Sequence, residues 1–169
     1  MLASFDRTLI RVNRWAVVAI LAAMASMVFA NVALRFFTDR SILWVEEVSR
    51  YLMIWLTFLG AGLVLRYGGH IGIDTLQERC PGIAPAIRAA IFAVMLVFFA
   101  AMLWLGLRYA AFAWSQTTPV LQIPIGVVYL ALPIGFALLI IHALLMMVPY
   151  VRSRQVLADA EFDSDAVKL

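Results

Sequence analysis

Glu46, Glu47 and Arg50 are the residues of this sequence most able to do chemistry. They stand in the run Trp44-Val45-Glu46-Glu47-Val48-Ser49-Arg50-Tyr51. Successive helical residues turn by about 100 degrees, so Arg50 projects between Glu46, four positions back, and Glu47, three positions back. One guanidinium can bridge both carboxylates, in the favourable order of acid before base. Both acids also fall near a helix N-terminus, where the dipole favours negative charge. Three uses fit the cluster. It is an interfacial, self-neutralised group, a contact orienting this helix against its bundle or a partner subunit, or a proton-relaying acid pair. The adjacent arginine argues against the relay.

His142 is the second such residue, set within an apolar run. A lone histidine there can ligate haem, carry protons or serve as a hydrogen-bonded packing residue, and packing is the favoured reading. His70 stands in a loop beyond Gly68-Gly69, away from His142. The single cysteine, Cys80, excludes an internal disulfide and a cysteine-rich metal site. No phosphate loop, metal-ligand spacing or nucleophile–base constellation is present, so no cofactor, metal or catalytic residue is assigned and the chain is not read as an enzyme.

The elements that position these residues belong to a membrane protein. Of the 169 residues, 65% are hydrophobic and 14% charged, against about half and a quarter in soluble domains. A helix needs about 20 apolar residues to cross the roughly 30 Å hydrocarbon core. The sequence predicts an all-α protein with four transmembrane helices, over 15–37, 42–66, 85–108 and 123–151, in one membrane domain of residues 1–151. A polar tail follows over 152–169, too acidic and poor in apolar surface to pack. The uncharged part of the second span, Tyr51 to Leu65, would rise only about 22 Å. Its charged cluster therefore lies at the headgroups or against another protein surface.

Orientation follows from the basic residues. Arg7, Arg11, Arg14, Arg66, Arg79, Arg88, Arg152, Arg154 and Lys168 fall on one side, and Arg35, Arg40 and Arg108 on the other. This bias places both termini in the cytoplasm. The net charge of +3 is spread near segment ends rather than clustered, which excludes a nucleic-acid footprint. Ser41 is the expected N-cap of the second helix, Asp74 with Gln77 resembles a capping box in the loop, and Pro85 suits the first turn of the third helix. Pro133 should kink the fourth span. Ala19, Ala22, Ser26, Ala30 and Ala33 form a stripe of small residues suited to packing within the bundle, with an intersubunit seam as the alternative. Asn31 needs a partner on another helix.

The runs Ala30-Asn31-Val32-Ala33-Leu34-Arg35-Phe36-Phe37, Trp44-Val45-Glu46-Glu47, Arg50-Tyr51, Trp55-Leu56-Thr57-Phe58-Leu59-Gly60-Ala61 and Arg66-Tyr67-Gly68-Gly69-His70-Ile71-Gly72-Ile73-Asp74 closely resemble the small membrane subunit of tripartite ATP-independent periplasmic (TRAP) transporters. Thr118-Pro119, Ile123-Pro124 and Tyr129-Leu130-Ala131-Leu132-Pro133-Ile134-Gly135 look like the fourth span of the same family. The resemblance covers roughly residues 12 to 150. Gly69 departs from the acidic residue that the family often carries before the histidine.

The resemblance implies a scaffold subunit in a bacterial inner membrane. It implies as partners a large multi-span permease subunit, which holds the substrate and sodium sites, and a periplasmic solute-binding protein that delivers an organic acid. Uptake is driven by a cation gradient, typically sodium. Trp44, Glu46, Glu47, Arg50 and Tyr51 become candidates for a periplasmic-side subunit interface, and Arg66, His70 and Asp74 for a cytoplasmic-side one. Two rival readings remain. One is a haem-bearing anchor of a redox complex with His142 as axial ligand. The other is a small autonomous efflux transporter in which Glu46 or Glu47 carries protons.

Overall fold

Four helices in the computed structural model, which describes residues 2–66 and 83–153, are long and apolar enough to cross a membrane. They are α1 (Leu2–Thr38), α2 (Leu43–Arg66), α3 (Ala84–Phe112) and the last arm, which consists of a short α4 (Ile125–Tyr129) running into α5 (Ala131–Ser153). Tail residues 154–169 and loop residues 67–82, with Gly68, Gly69, His70, Asp74, Gln77 and Cys80, lie outside the described residues.

α1 is longer than its expected span. Its 37 residues rise about 55 Å, well beyond the roughly 30 Å core. The basic leader is helical because residues 2–14 hold no proline or glycine and have an inward face. Asn13 is buried there and Asp6, Leu9 and Ile10 half-buried, while Arg7, Arg11 and Arg14 are exposed. The helix stops where Asp39 takes a left-handed backbone (φ 53°) and its N–H bonds the Arg35 carbonyl at 3.0 Å. The entrance to α2 is satisfied by Asn31 of α1 rather than by Ser41. The Ile42 N–H donates to Asn31 Oδ1 at 2.7 Å, so Asn31 finds its partner in the backbone just before α2 rather than on another helix.

The helices stand in a row, α1–α2–α5–α3, with α1 packed chiefly on α2 and α3 chiefly on α5. Leu65, Phe92, Phe99, Phe136, Leu139, Ala143 and Met146 form the core between α2, α3 and α5. Phe136 meets Phe58 of α2 and Phe99 of α3 at centroid separations of 6.1 and 5.9 Å. Gly135 permits this approach, since a Cβ there would stand 2.6 Å from Phe58 Cβ. The small-residue stripe is not part of the packing: Ala19, Ala22, Ser26 and Ala30 are exposed and only Ala33 is half-buried. α2 engages α1 by another face, so the stripe is turned outward.

Pro85 sits in the first turn of α3 as expected. The last arm breaks at Leu130, three residues before Pro133. Proline lacks the N–H that would reach the Tyr129 carbonyl, so the ladder is interrupted there. The bond from Ile134 N–H to the Leu130 carbonyl, at 3.1 Å, resumes it.

Candidate functional site

Two polar centres are built into the row, one at each end. At the end where α1 begins, Arg66 closes α2 and turns inward, 4% exposed. Its Nη1 donates to Asp6 Oδ2 at 3.0 Å, and Nη2 pairs with Asp6 Oδ1, giving a bidentate bridge to α1. Its Nε donates to His142 Nδ1 at 3.0 Å, which ties in α5. An Nδ1 that accepts carries no proton, so the imidazole is neutral. The Asn13 amide lies 3.4 Å from Nε2 and donates to the Leu59 carbonyl at 3.0 Å. One arginine thus gathers three helices.

The sequence supports this local geometry. Asp6 and Asn13 lie seven residues, about two turns, apart on one face of α1. Gly62, one turn before Arg66, leaves room for the imidazole. A Cβ at Gly62 would stand 2.5 Å from His142 Cδ2. Gly62→Ala is therefore expected to destabilise the fold by about 1–3 kcal/mol, because a fully buried planar ring held at Nδ1 by Arg66 cannot move aside. Heat unfolding of the purified chain in detergent measures this.

His142 is fully buried and both ring nitrogens face protein groups. A metal at Nδ1 would have to displace Arg66 and leave its guanidinium without that acceptor. The packing reading of His142 is the one the geometry supports, and it weighs against a haem ligand there.

The opposite centre surrounds Glu47, 1% exposed. The expected clasp between Arg50 and both acids is not what holds it. Val120 N–H donates to Glu47 Oε2 at 2.8 Å and Tyr51 Oη donates to Oε1 at 3.0 Å. Thr118 and the Leu121 N–H also face this carboxylate. The reason is competition. A loop can offer a buried acid several fixed donors, whereas Arg50 lies on the exposed side of α2.

That loop runs over residues 116–124 after a 3₁₀ turn, Ala113–Ser115. Thr117 and Pro124 form a two-residue bridge, the Thr118 N–H reaches the Ile123 carbonyl at 2.9 Å, and the Ile125 N–H reaches the Gln116 carbonyl at 2.8 Å. Gln122 takes a left-handed backbone (φ 56°) to close it, a strain that the surrounding bonds hold in place.

The expected site residues therefore separate. Trp44, Glu46 and Arg50 are exposed, and Tyr51 is half-buried against Glu47. Glu47 and Arg66 turn into the chain itself and bond its own loop and helices. His70 and Asp74 lie outside the described residues. Sequence reasoning missed Asp6 and Asn13. Asp6 carried one usable signal, as the only acid before Asp39.

Residues 24–153 match the family described as tripartite ATP-independent periplasmic transporters, DctQ component. The ectoine TRAP transporter small permease protein TeaB of Halomonas elongata is 30% identical over 138 residues, 79% of this chain and 70% of that protein. The C4-dicarboxylate TRAP transporter small permease protein DctQ of Rhodobacter capsulatus is 32% identical over 108 residues, 59% of this chain and 45% of its own. The isethionate TRAP transporter permease protein DctMQ of Oleidesulfovibrio alaskensis is 32% identical over 104 residues, 60% of this chain but 16% of that much longer protein.

Proposed function

The chain belongs to the DctQ-component family of TRAP transporters, a small permease subunit rather than an enzyme, and we propose that it is the static scaffold to which the large permease subunit is anchored. The observation that carries this reading is the use of its buried charges. Glu47 and Arg66, both almost fully enclosed, bind the chain's own loop and helices. A substrate pathway needs polar groups turned toward a cavity at membrane depth. These two are instead committed to fixing the row.

The row also offers surface for a partner. Along the apolar part of α1, Val18, Leu21, Val28, Phe29 and Val32 are exposed, so one flank is free to lie against a larger protein or lipid. Fusion of a related segment into the much longer DctMQ chain supports a large permease as that neighbour. Trp44, Glu46 and Arg50 are the proposed direct contacts at the end away from the termini. Tyr51 and Glu47 shape that end from within. Arg66 braces the other end, where His70 and Asp74 are the proposed contacts. The basic-residue bias supports cytoplasmic termini, and membership of the family supports a bacterial inner membrane. A periplasmic binding protein completes the assembly.

The relatives named for ectoine, C4-dicarboxylate and isethionate concern organic acids and their anions, which supports an organic acid as substrate here. Uptake would be driven by a cation gradient, with sodium the proposed ion. Co-purification tests the anchoring. Combining Trp44→Ala with Glu46→Lys should lower recovery of the large permease on a tagged chain by about tenfold or more. Undiminished recovery and uptake would place the contact elsewhere.

A further inference from the structure

At the end of the row away from the termini, α1 and α2 part around a groove of about 440 Å³. Val28 and Val32 of α1 line its apolar part, and Arg35, Glu46, Ser49 and Arg50 supply its polar part. The groove is amphipathic in the same sense as a lipid. Arg35 stands in the last turn of α1. Arg50 lies just before the uncharged stretch Tyr51 to Leu65, whose rise of about 22 Å is shorter than the roughly 30 Å core. Both guanidiniums thus stand near the ends of membrane-crossing helices, the part of a span that approaches the headgroups.

The charges form a pattern around the groove, Arg35 on the α1 side and Glu46 and Arg50 on the α2 side. Guanidiniums bind phosphate oxygens by paired charge-assisted bonds, and a carboxylate binds a primary ammonium. Ser49 also lines the groove, and its hydroxyl has no hydrogen-bond partner among the described residues.

We propose that this groove is a binding site for one phospholipid with an ethanolamine headgroup. Arg35 and Arg50 take the phosphodiester, Glu46 takes the primary amine, and an acyl chain runs down over Val28 and Val32. The site belongs to the chain alone and needs no partner. Glu46 and Arg50 also stand among the proposed permease contacts, so Trp44→Ala, which leaves the groove lining intact, separates the two: it should lower recovery of the permease and leave lipid retention unchanged.

The test is native mass spectrometry of the full chain in detergent, with phosphatidylethanolamine, phosphatidylglycerol or phosphatidylcholine of identical acyl chains added in turn. The wild-type chain should retain phosphatidylethanolamine above the other two. Arg35→Gln with Arg50→Gln should lower that retention by about tenfold or more, while Arg108→Gln should not. Arg108 is suited as the control because it lies over the Trp104 ring on α3, at 5.0 Å. Glu46→Gln should abolish the preference for ethanolamine over glycerol, and it provides the test if the double arginine variant loses its helical circular dichroism. Equal retention of phosphatidylcholine by the wild type would overturn the proposal. So would undiminished retention by a folded Arg35→Gln, Arg50→Gln chain.

Discussion

Replacing Asp6 with alanine is expected to destabilise the helix row by about 3 kcal/mol or more. Asp6 is the only acidic partner of Arg66 among the described residues, and Arg66 is almost wholly enclosed. Removing the carboxylate leaves a buried cation with a neutral imidazole and little else. The loss should be local to α1, because Asn13 and its bond to the Leu59 carbonyl provide only a neutral tie further along. Hydrogen exchange should therefore rise first over residues 2–14.

A paired replacement separates charge from packing. Asp6→Leu combined with Arg66→Met removes both ions together and should recover most of the lost stability, since an apolar pair of similar volume needs no counter-charge. If Asp6→Ala unfolds no earlier than the wild type, Arg66 does not depend on Asp6 for its counter-charge.

The second large effect is at Glu47. Glu47→Ala is expected to cost about 2–3 kcal/mol, because it strips acceptors from the Val120 N–H and the Tyr51 hydroxyl. The backbone consequence should be confined to residues 116–124, whose fold closes through Gln122 in a left-handed conformation. Without the carboxylate, that strain is no longer offset, and proteolytic cutting near Val120 should accelerate. Glu47→Gln keeps one acceptor oxygen and should give a smaller effect. Equal protection of the loop in wild type and Glu47→Ala would show that Thr118 and the bridge to Pro124 suffice.

Membrane architecture was legible in the sequence because hydrocarbon thickness imposes a length and composition that few soluble segments share. The four crossing helices, Pro85 at the start of α3 and the need of Asn31 for a partner all followed from that kind of local rule. The leader of α1 was underestimated because Arg7, Arg11 and Arg14 mark a membrane boundary without ending a helix. Charged residues stop a span, but only a proline, a glycine or a cap stops the backbone.

What the sequence hid was tertiary choice. Spacing along α2 brings Arg50 within reach of Glu46 and Glu47, yet it cannot register that Val120, 73 residues away, competes for the same carboxylate. Asp6, Arg66 and His142 lie on three helices, and no local rule links them. Their meeting depends on the order in the row, which places α2 between α1 and α5. The small-residue stripe of α1 illustrates the same limit. Composition shows that a close approach is possible on that face, while helix order decides whether the chain itself makes it.

The scaffold reading is most directly tested by uptake into sealed proteoliposomes under an imposed sodium gradient, with the binding protein outside. A scaffold alone should move no organic acid, chain and large permease together should do so, and the permease should lose uptake when the chain is withheld. Solute uptake by this chain alone at the rate of the full assembly would contradict it.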